Sequence, residues 1–406
     1  MNSVLYVTAA FPTLAAFIEN EVKRIDQRGV RIRVLTLRPV STQYQPEHAH
    51  LVTLTTSVGS PLTLRNWGDL LLWTLRRPHV LIPDFLRILW ASKASPYALM
   101  GHVGYLPAAA RIATIAEREG FERIHGAWAH FPATVAYLAC RLTGKRFSMA
   151  GHAGGDLYRM QEFLREKATA ADFMTCCVRG NAEMVRKLAP RARVHWLYHG
   201  TDLSFFGAIE RRRAAAPTLL IVGRLARTKG YDDLFKAMAV LKRRGVTPKL
   251  VVVGDGPERG NLEALAHEGG FASQLEWCGS LTHEQLAPRY AEAWALVAPS
   301  VVLSNGRMDG IPNVVVEAMA AGLPVVGTRA AGLEEIVVPG RTGALANQRD
   351  PEDLANAIAP LVSDDGGEVD RLSAIARTEV RDAFDVEKNF EKLWALFQGT
   401  AEGSRP

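Results

Sequence analysis

The chain has 406 residues, of which 48% are hydrophobic and 22% are charged. This composition is typical of a globular chain of two or three domains, and it excludes a disordered or fibrous one. No apolar run reaches the roughly 18 to 20 residues that a membrane span needs, and Cys140, Cys176, Cys177 and Cys278 lack the C-x-x-C or His-paired spacing of a zinc site or disulfide framework.

The net charge of +6 is unevenly distributed along the chain. Residues 1–205 hold 25 basic and 15 acidic side chains, whereas the remainder holds 23 and 27. This asymmetry favours an anionic partner for the first half, such as a lipid surface or phosphates. Nucleic acid is not expected, since no zinc-finger or RRM-like pattern is present. The N-terminus lacks a basic segment and a cleavage signal, which predicts a cytoplasmic protein.

The first half alternates predicted strands and helices. SVLYVTAA is a strand, AAFIENEVKRIDQRG a helix closed by Gly29, and VRIRVLTLRP a second strand. The alternation resumes near residues 121–155 with RIHGAWAH, PATVAYLACRLTG and RFSMAGHAGGD, and strand signals recur at DFMTCCV and VHWLYHG. Such βαβ units predict a parallel sheet with helices on both faces.

Residues 60–115 interrupt this alternation with Leu, Trp and Arg at helical spacing. One interpretation is a helical insertion that completes the core. The other is a basic amphipathic surface that lies on a membrane. The side chains that suit the second interpretation are Arg65, Trp67, Trp73, Arg76, Arg77, Arg87 and Trp90.

The second half restarts the alternation after a linker near residues 205–217. Its apolar strands, such as TLLIVGRL and KLVVVGDGP, lack period-2 alternation, as expected for a sheet buried on both faces. We predict an α/β protein with two doubly wound domains, at residues 1–205 and 217–385. The last helix, in residues 386–406, is expected to pack back on the first domain.

The stretch DGIPNVVVEAMAAGLPVVGT, residues 309–328, indicates a ligand site. A helix beginning near Asn313 leaves backbone N–H groups available for a phosphate. Asp309 and Glu317, on either side of that helix start, would accept hydrogen bonds from a ligand rich in hydroxyl groups. The alternative is an Asp that favours the helix dipole and a solvated Glu.

Two further loops follow strands in the second half. IVGRLARTKGYDDL places Arg224 and Lys229 ahead of a helix, where two cations can neutralise a diphosphate. VVVGDGPE is a glycine-rich turn at Gly254 and Gly256. Ligands of open α/β sheets bind at the carboxyl ends of the strands, where both loops lie.

These motifs, taken together, resemble the retaining glycosyltransferases of family 4, which have the two-domain GT-B fold. V-G-R-L-x-x-x-K-G, G-x-G-P-E and a D-x7-E signature followed by E-A-M-A-x-G-x-P-V-V occur in order. Asp309 replaces the family's usual first Glu, which leaves the sugar preference open. The resemblance implies two Rossmann-like domains facing across a cleft, with the nucleotide-sugar donor bound to the second.

The resemblance also implies roles for individual residues. Arg224 and Lys229 would bind the donor diphosphate, Asp309 the sugar hydroxyls and Glu317 the ribose. The remaining donor-binding positions would be Gly223, Gly254, Gly256, Gly310, Ile311, Pro312, Asn313 and Val314. His152, in an H-x-x-x-D setting with Asp156, resembles the family's histidine near the reacting centre, although a buried structural histidine is the commoner explanation for such a residue.

The acceptor side is expected in the first domain. FPTLAAFIENEV resembles the start of enzymes of colanic-acid and exopolysaccharide assembly, with Phe11, Pro12 and Thr13 in the acceptor loop. The family's Ser-Glu-Thr stretch is shortened here to Ala15–Ala16, which leaves the acceptor open. His130 and Asp156 are further acceptor-side candidates.

The expected reaction is sugar transfer to an acceptor hydroxyl with retention at the anomeric carbon, in exopolysaccharide or other cell-surface glycan synthesis. His152, Asp309, Arg224 and Lys229 are the catalytic candidates, and no metal or cofactor is expected. The partners would be a nucleotide-sugar donor, a glycan or lipid-linked acceptor and an anionic membrane surface, with no nucleic acid. A nucleotide-sugar epimerase or hydrolase and a non-catalytic binding subunit are the alternatives.

Overall fold

The computed structural model describes residues 1–13, 17–152, 154–158, 160–330, 332–363 and 367–400. The chain divides into two compact units. Unit 1 comprises Met1–Gly200 and Glu387–Pro406, and unit 2 comprises Thr201–Val386. The division lies a few residues before the linker expected near 205–217.

Unit 1 is built on a seven-stranded sheet in the order β3-β2-β1-β4-β5-β6-β7, and all its strand pairs are parallel. The strands are β1 Ser3–Thr8, β2 Arg31–Thr36, β3 Thr55–Ser57, β4 Arg123–Gly126, β5 Arg146–Gly151, β6 Met174–Cys176 and β7 Val194–Trp196. β1 and β4 are buried along their whole length, as expected for a sheet covered on both faces. The edge strand β3 follows a 3₁₀ helix, Pro46–Leu54, and neither was predicted from the sequence.

Helices of unit 1 follow the strands in the βαβ pattern that the sequence predicts. They are α1 Phe17–Gln27, α2 Leu64–Arg76, α3 Pro78–Ser92, α4 Pro96–Arg118, α5 Phe131–Thr143, α6 Gly154–Leu157, α7 Leu164–Ala170 and α8 Arg179–Leu188. The last helix, α16 Val386–Gln398, places Phe390, Leu393 and Phe397 in one buried cluster with Tyr6 of β1. That contact holds α16 from Glu387 onward in unit 1.

Residues 60–115 form three consecutive helices, α2 to α4. Trp73 agrees with the core interpretation and not with the membrane-surface one, because it is 1% exposed and its indole N–H donates to Thr114 Oγ1 at 3.0 Å. Trp67 and Trp90, in contrast, are 49% and 70% exposed. The insertion therefore completes the core with one face and leaves large apolar side chains on the other.

Unit 2 is built on a six-stranded parallel sheet in the order β10-β9-β8-β11-β12-β13. Its strands are β8 Thr218–Val222, β9 Lys249–Val253, β10 Leu275–Gly279, β11 Ala295–Ala298, β12 Val325–Thr328 and β13 Gly343–Ala346. Its helices are α9 Ser204–Gly207, α10 Tyr231–Arg243, α11 Arg259–Glu268, α12 His283–Glu292, α13 Asn313–Ala320, α14 Pro351–Ser363 and α15 Gly367–Phe384, with 3₁₀ turns at Arg227–Lys229, Ala272–Gln274 and Leu333–Glu335.

The prediction of two doubly wound α/β domains is confirmed by these two sheets. Among the residues that the structure describes, none of the helices combines the length and the apolar character that a membrane crossing demands.

Candidate functional site

The order of the strands in unit 2 reverses between β8 and β11. Successive strands run outward from β8 on one side and from β11 on the other, so the loops that follow these two strands diverge to opposite faces. Ligands of open α/β sheets bind at such a switch point, outside the carboxyl ends of the strands. The loops after β8, β9 and β11 carry the donor-binding residues that the sequence predicts.

Backbone hydrogen bonds join the loops after β8 and β9. The N–H of Gly223 donates to Val253 O at 2.9 Å, and that of Leu225 donates to Asp255 O at 3.0 Å. Gly254 has φ +132°, and a Cβ added there would lie 2.0 Å from the carbonyl oxygen of Gly223. Glycine is required at this position both by its backbone angle and by the close approach of the two loops.

An ion pair links the loop after β8 to the segment before α13. Lys229 Nζ lies 3.1 Å from Asp309 Oδ2, and the two side chains are 24% and 26% exposed. The loops are brought together by the backbone, because the N–H of Val301 donates to Thr228 O at 3.0 Å. Both side chains of the pair are therefore partly accessible to a ligand, and a main-chain hydrogen bond joins the two loops that carry them.

Helix α13 begins at Asn313, as predicted, with Pro312 as its N-cap residue and without a side-chain cap. The first-turn N–H groups and the positive end of the helix dipole can bind an anion. Asp309, Gly310 and Ile311 lie directly ahead of this terminus and are half-buried. The carboxylate that pairs with Lys229 is thus only four residues ahead of a helix N-terminus in the chain.

Glu317 lies inside α13 and is 6% exposed. Its Oε2 accepts a hydrogen bond from the hydroxyl of Tyr290 at 3.0 Å. Burial raises the pKa of the Glu317 carboxyl, while the nearby His283 and the Tyr290 hydroxyl lower it. The alternative of a solvated glutamate is excluded, and sequence reasoning missed Tyr290 because a lone tyrosine on α12 carries no motif.

Arg224 is exposed in the turn directly after β8, next to Gly223. Arg227, in the same loop, pairs with Glu258, since its Nε lies 3.5 Å from Glu258 Oε1. Arg224 has no acidic partner among the described residues, which leaves it available to an anionic ligand. Gly256, in the neighbouring turn, would clash with the backbone of Leu225 if it carried a Cβ.

In unit 1, Asp156 ties together the loops after β4 and β5. It is 3% exposed and accepts from the N–H groups of Ala129, His130 and His152 at 2.8 to 3.0 Å. His130 Nδ1 is a fourth partner at 2.7 Å. Although burial opposes ionisation, the hydrogen bond and charge of His130 and the proximity of His152 hold the pKa of Asp156 at about 2.

His152 is 5% exposed, and both of its ring nitrogens have partners. Nε2 lies 2.7 Å from the carbonyl oxygen of Ala127, and Nδ1 lies 3.0 Å from Nε2 of His199. Because a carbonyl only accepts, Nε2 carries the proton and Nδ1 accepts from His199. Burial lowers the pKa of His152, which keeps the ring neutral. A catalytic role therefore requires the His152–His199 hydrogen bond to open.

The proposed acceptor loop is described only in part. Phe11 and Pro12 are buried, and the Thr13 hydroxyl donates to Glu19 Oε1 at 3.0 Å. Ala15–Ala16, where the family's polar stretch is shortened, lies outside the described residues.

Lys167 supports the loop that carries His130, since its buried Nζ donates to Ala129 O at 2.6 Å. Neither Lys167 nor Glu19 was singled out by the sequence.

Two parallel Rossmann-like sheets, one of which carries glycine turns, cationic side chains and a helix N-terminus at its switch point, define an α/β protein of the GT-B class. Residues 216–364 match the family model described as glycosyl transferases group 1. This part of unit 2 is a domain of that family. The resemblance drawn from the motifs is thereby confirmed for residues 216–364 at the level of a glycosyltransferase domain.

Similar curated proteins include a colanic acid biosynthesis glycosyltransferase, WcaL, of Escherichia coli K12, which is 29% identical over 52% of this chain and 52% of its own length. A GDP-mannose-dependent phosphatidylinositol monomannoside mannosyltransferase of Mycobacterium tuberculosis H37Rv is 31% identical over 43% of this chain and 48% of its own. The chain thus spans about half the length of these relatives.

Solved structures match over almost the entire chain. Sucrose-phosphate synthase of Thermosynechococcus elongatus aligns with a TM-score of 0.74 and 19% identity, covering 98% of this chain and 99% of its own. Anabaena HepE, in complex with UDP, aligns with a TM-score of 0.70 and 14% identity, covering 98% of this chain and 100% of its own. At these identities the likeness shows the fold, which confirms the GT-B prediction.

Proposed function

We propose that this protein transfers a sugar from a nucleotide diphosphate sugar to an acceptor hydroxyl group, with retention of the anomeric configuration. The observation that carries the proposal is the 3.1 Å pair of Lys229 and Asp309 at the switch point of unit 2. A lone lysine would suit many anions. A lysine that shares its site with a carboxylate and a helix N-terminus suits a ligand with both phosphate and hydroxyl groups.

Each part of the donor is assigned to a residue in unit 2. Lys229 and Arg224 neutralise the diphosphate, with the N–H groups of α13 as further donors. Asp309 accepts hydrogen bonds from the sugar hydroxyls. Glu317 accepts from the ribose, with Tyr290 holding one of its carboxylate oxygens. These assignments follow the family resemblance position by position.

The proposed step exchanges one bond for another at the anomeric carbon. The acceptor oxygen bonds to that carbon as the bond to the donor phosphate oxygen breaks. The acceptor proton passes to the departing phosphate on the same face, which preserves the configuration. Charge that develops on the leaving diphosphate is stabilised by Lys229, Arg224 and the helix terminus in place of a metal. His152 is assigned to the donor sugar by resemblance.

The proposed acceptor is a glycan, free or lipid-linked, in exopolysaccharide or another cell-surface polymer. The names of similar proteins refer to colanic acid, to amylovoran and to phosphatidylinositol monomannoside. A lipid-linked acceptor requires the enzyme to reach the inner face of the cytoplasmic membrane. The helical insertion of unit 1 offers a surface suited to that location.

The insertion exposes many large apolar side chains and buries several polar ones. On α2 the buried side chains include Asn66 and Asp69, whereas Leu64, Leu71 and Leu75 are 86%, 63% and 73% exposed. Twelve large apolar side chains between residues 62 and 103 are exposed, and we call them the apolar face: Leu62, Leu64, Trp67, Leu71, Leu72, Leu75, Ile82, Leu86, Trp90, Tyr97, Met100 and Val103. Contiguous exposed apolar surface of this kind marks an interaction site.

The positive charge exposed on the insertion favours an anionic lipid surface as its partner. The acidic residues of this segment, Asp69 and Asp84, are buried, and they are 9% and 0% exposed. Arg111 is half-buried and pairs with Asp69, whereas the other basic residues of the insertion are exposed: Arg65, Arg76, Arg77, Arg87 and Lys93. Indole rings at headgroup depth beside guanidinium groups are the pattern of a helix that lies in the interface.

Product analysis tests the proposed reaction. The purified protein is incubated with UDP-, GDP- and ADP-sugars and with lipid-extracted or oligosaccharide acceptors, and the anomeric configuration of the product is read by proton NMR. We expect acceptor-dependent release of a nucleoside diphosphate and a product with the configuration of the donor. Donor turnover that is independent of every acceptor, or an inverted product, would overturn the proposal.

A further inference from the structure

We propose that His152, Cys177 and His199 form a binding site for one Zn²⁺ ion, and that occupation of this site inhibits the enzyme. The inhibition rests on the proposed function, whereas the site itself rests on geometry within unit 1. Neither the family motifs nor the spacing of the cysteines along the sequence points to it.

The three residues come from neighbouring strands of the unit 1 sheet. His152 follows β5 directly, Cys177 follows β6 directly, and His199 lies three residues beyond β7. Because β5, β6 and β7 are adjacent and parallel, their carboxyl ends meet at one edge. The ligands are 22 to 47 residues apart in the chain, which is why a search for short cysteine–histidine spacings does not reveal them.

The side-chain geometry suits a tetrahedral metal ion. The candidate ligand atoms of His152, Cys177 and His199 all lie within 4.8 Å of one another. Zn–N bonds of about 2.0 to 2.1 Å and Zn–S bonds of about 2.3 Å place tetrahedral ligands roughly 3.3 to 3.7 Å apart. The two histidine nitrogens are already 3.0 Å apart, so small side-chain shifts suffice to admit the ion.

His152 is oriented as metal-binding histidines usually are. Its Nε2–H donates to the carbonyl oxygen of Ala127 at 2.7 Å, which fixes the tautomer and aims the Nδ1 lone pair at the cluster. Metal-bound histidines almost always donate their other N–H to a carbonyl, a carboxylate or water. The Nδ1 of His152 lies 3.0 Å from Nε2 of His199, the second candidate ligand.

Aromatic rings enclose the cluster and leave one side accessible. Phe17 stacks on His199 with ring centroids 4.4 Å apart, and Trp128 lies 4.4 Å from the His152 ring. His152 and Cys177 are 5% and 8% exposed, whereas His199 is half-buried. An ion can therefore enter past His199, and water would complete the four ligands, as in other sites with three protein ligands.

Binding would change the chemistry of the cluster in a defined way. The Cys177 thiol loses its proton to solvent and binds as a thiolate. His199 gives up the proton on Nε2 and takes one up on Nδ1, so that its hydrogen bond to His152 is replaced by two N–Zn bonds. The Nδ1 lone pair of His152 is then fixed on the metal. Since His152 is assigned to the donor sugar, the loaded protein should have lost its transferase activity.

Cobalt titration of the full-length, untagged, chelator-treated protein tests the site without reference to activity. Co²⁺ bound to a thiolate has a sulfur-to-metal charge-transfer band in the near ultraviolet, and Zn²⁺ displaces it. We expect a band that saturates at one equivalent. It should disappear in Cys177→Ser and persist in Cys278→Ser, the control, whose thiol is half-buried in unit 2.

A second variant keeps the test decisive if Cys177→Ser fails to fold. His199→Gln retains a side-chain N–H that can donate to His152 but removes a strong metal ligand, and it should weaken Co²⁺ binding at least about 100-fold, beyond the 10- to 100-fold loss of an outer-shell partner. A wild-type protein without the band at one equivalent, or a band that survives Cys177→Ser or His199→Gln at full affinity, would overturn the site.

Measurements of sugar transfer with Zn²⁺ and with a chelator distinguish failure of the zinc site from failure of the proposed activity. Zn²⁺ should inhibit sugar transfer by the wild type, chelation should restore it, and Cys177→Ser should retain transfer in the presence of Zn²⁺. If the cobalt band behaves as expected and the protein transfers no sugar, the proposed function fails and the site stands. If transfer occurs and Zn²⁺ inhibits wild type and Cys177→Ser equally, the regulatory role is overturned.

Discussion

Lys229 and Asp309 approach to 3.1 Å although they are 80 residues apart in the chain, in two loops that the backbone hydrogen bond from Val301 N–H to Thr228 O joins. In the proposed donor site, Asp309 would balance the charge of Lys229 until a diphosphate binds. Lys229 would then contact the phosphate, and Asp309 would accept hydrogen bonds from the sugar hydroxyls.

The first prediction concerns the diphosphate. Lys229→Ala and Arg224→Ala should each lose about 2 to 4 kcal/mol of transition-state stabilisation, as removal of a charge-stabilising donor typically does. The measurement is kcat/KM for sugar transfer with the accepted donor. Arg227→Ala is the matched control, since Arg227 lies in the same loop but pairs with Glu258. Wild-type kinetics in Lys229→Ala would contradict the assignment.

The two carboxylates of unit 2 should respond differently to neutralisation. Asp309→Asn frees Lys229 for the diphosphate, so nucleoside diphosphate affinity should stay the same or rise while sugar transfer falls. Glu317→Gln should weaken both, because the ribose belongs to both ligands. Isothermal titration and turnover of each variant give the comparison, with Glu334→Gln, half-exposed and paired with Arg329, as the control. Equal losses of nucleotide affinity in Asp309→Asn and Glu317→Gln would show that the roles are misassigned.

The glycine turns, the cation loop and the start of α13 were predictable from sequence because the residues of each motif lie within a few positions of one another in the chain. Glu317 was predicted to face a ligand, but its partner Tyr290 was not, since the contact joins two helices. The sequence left open whether Trp73 faces the core or a membrane surface, and the structure buries it. Helical spacing identifies an amphipathic helix but does not say which stripe faces the core, and on α2 the polar Asn66 and Asp69 are inside.

For the histidines of unit 1, too, contacts within a motif could be predicted from the sequence and contacts between distant segments could not. The H-x-x-x-D pattern pairs Asp156 with His152, and in the structure the backbone N–H of His152 donates to Asp156 Oδ2 at 2.9 Å. His199 and Cys177 reach His152 through strand order alone, which no local pattern encodes. The fold class followed from alternating periodicity, whereas contacts across strand ends depended on topology.

A third prediction concerns acid stability. The pKa of Asp156 is about 2 in the folded protein, below its usual value. A depressed carboxyl pKa contributes stability above the unfolded pKa of about 3.9, and this is lost as the pH falls toward 2. Asp156→Asn should therefore lose on the order of 2 kcal/mol at neutral pH.

Thermal unfolding midpoints from pH 7 to pH 2 test this pH dependence. The deficit of Asp156→Asn relative to wild type should shrink between pH 4 and pH 2, as the wild-type carboxyl takes up its proton. Asp26→Asn, at an exposed carboxylate of α1, should follow the wild type throughout. A deficit in Asp156→Asn that is the same at all pH values would indicate that the charge of Asp156 is not what stabilises the loops.

A fourth prediction concerns the apolar face of the insertion. The protein should co-sediment with vesicles containing anionic lipid at low salt, and high salt or neutral lipid should weaken the association. Arg65→Gln with Arg77→Gln should reduce binding, since each basic residue near the surface contributes about 1 kcal/mol. Arg76 and Arg87 are less suitable because they pair with Glu117 and Asp84.

The apolar contribution is tested separately by Trp67→Ala with Trp90→Ala. These exposed indoles should be needed for vesicle binding, whereas Phe205→Ala, at a 40% exposed aromatic residue of unit 2, should leave it intact. If wild-type protein stays in the supernatant with anionic vesicles at low salt, the membrane surface is wrong and a soluble acceptor is favoured.

The most direct test of the central claim is a thermal-shift comparison of wild type, Lys229→Ala and Glu317→Gln with UDP, GDP, ADP and their sugars. A ligand at 100 times its dissociation constant adds about 2.7 kcal/mol to the stability of the folded state. We predict that one nucleotide class raises the wild-type midpoint and that both variants lose most of this shift. The account would be contradicted if no nucleotide stabilises the wild type, or if the variants are stabilised equally well.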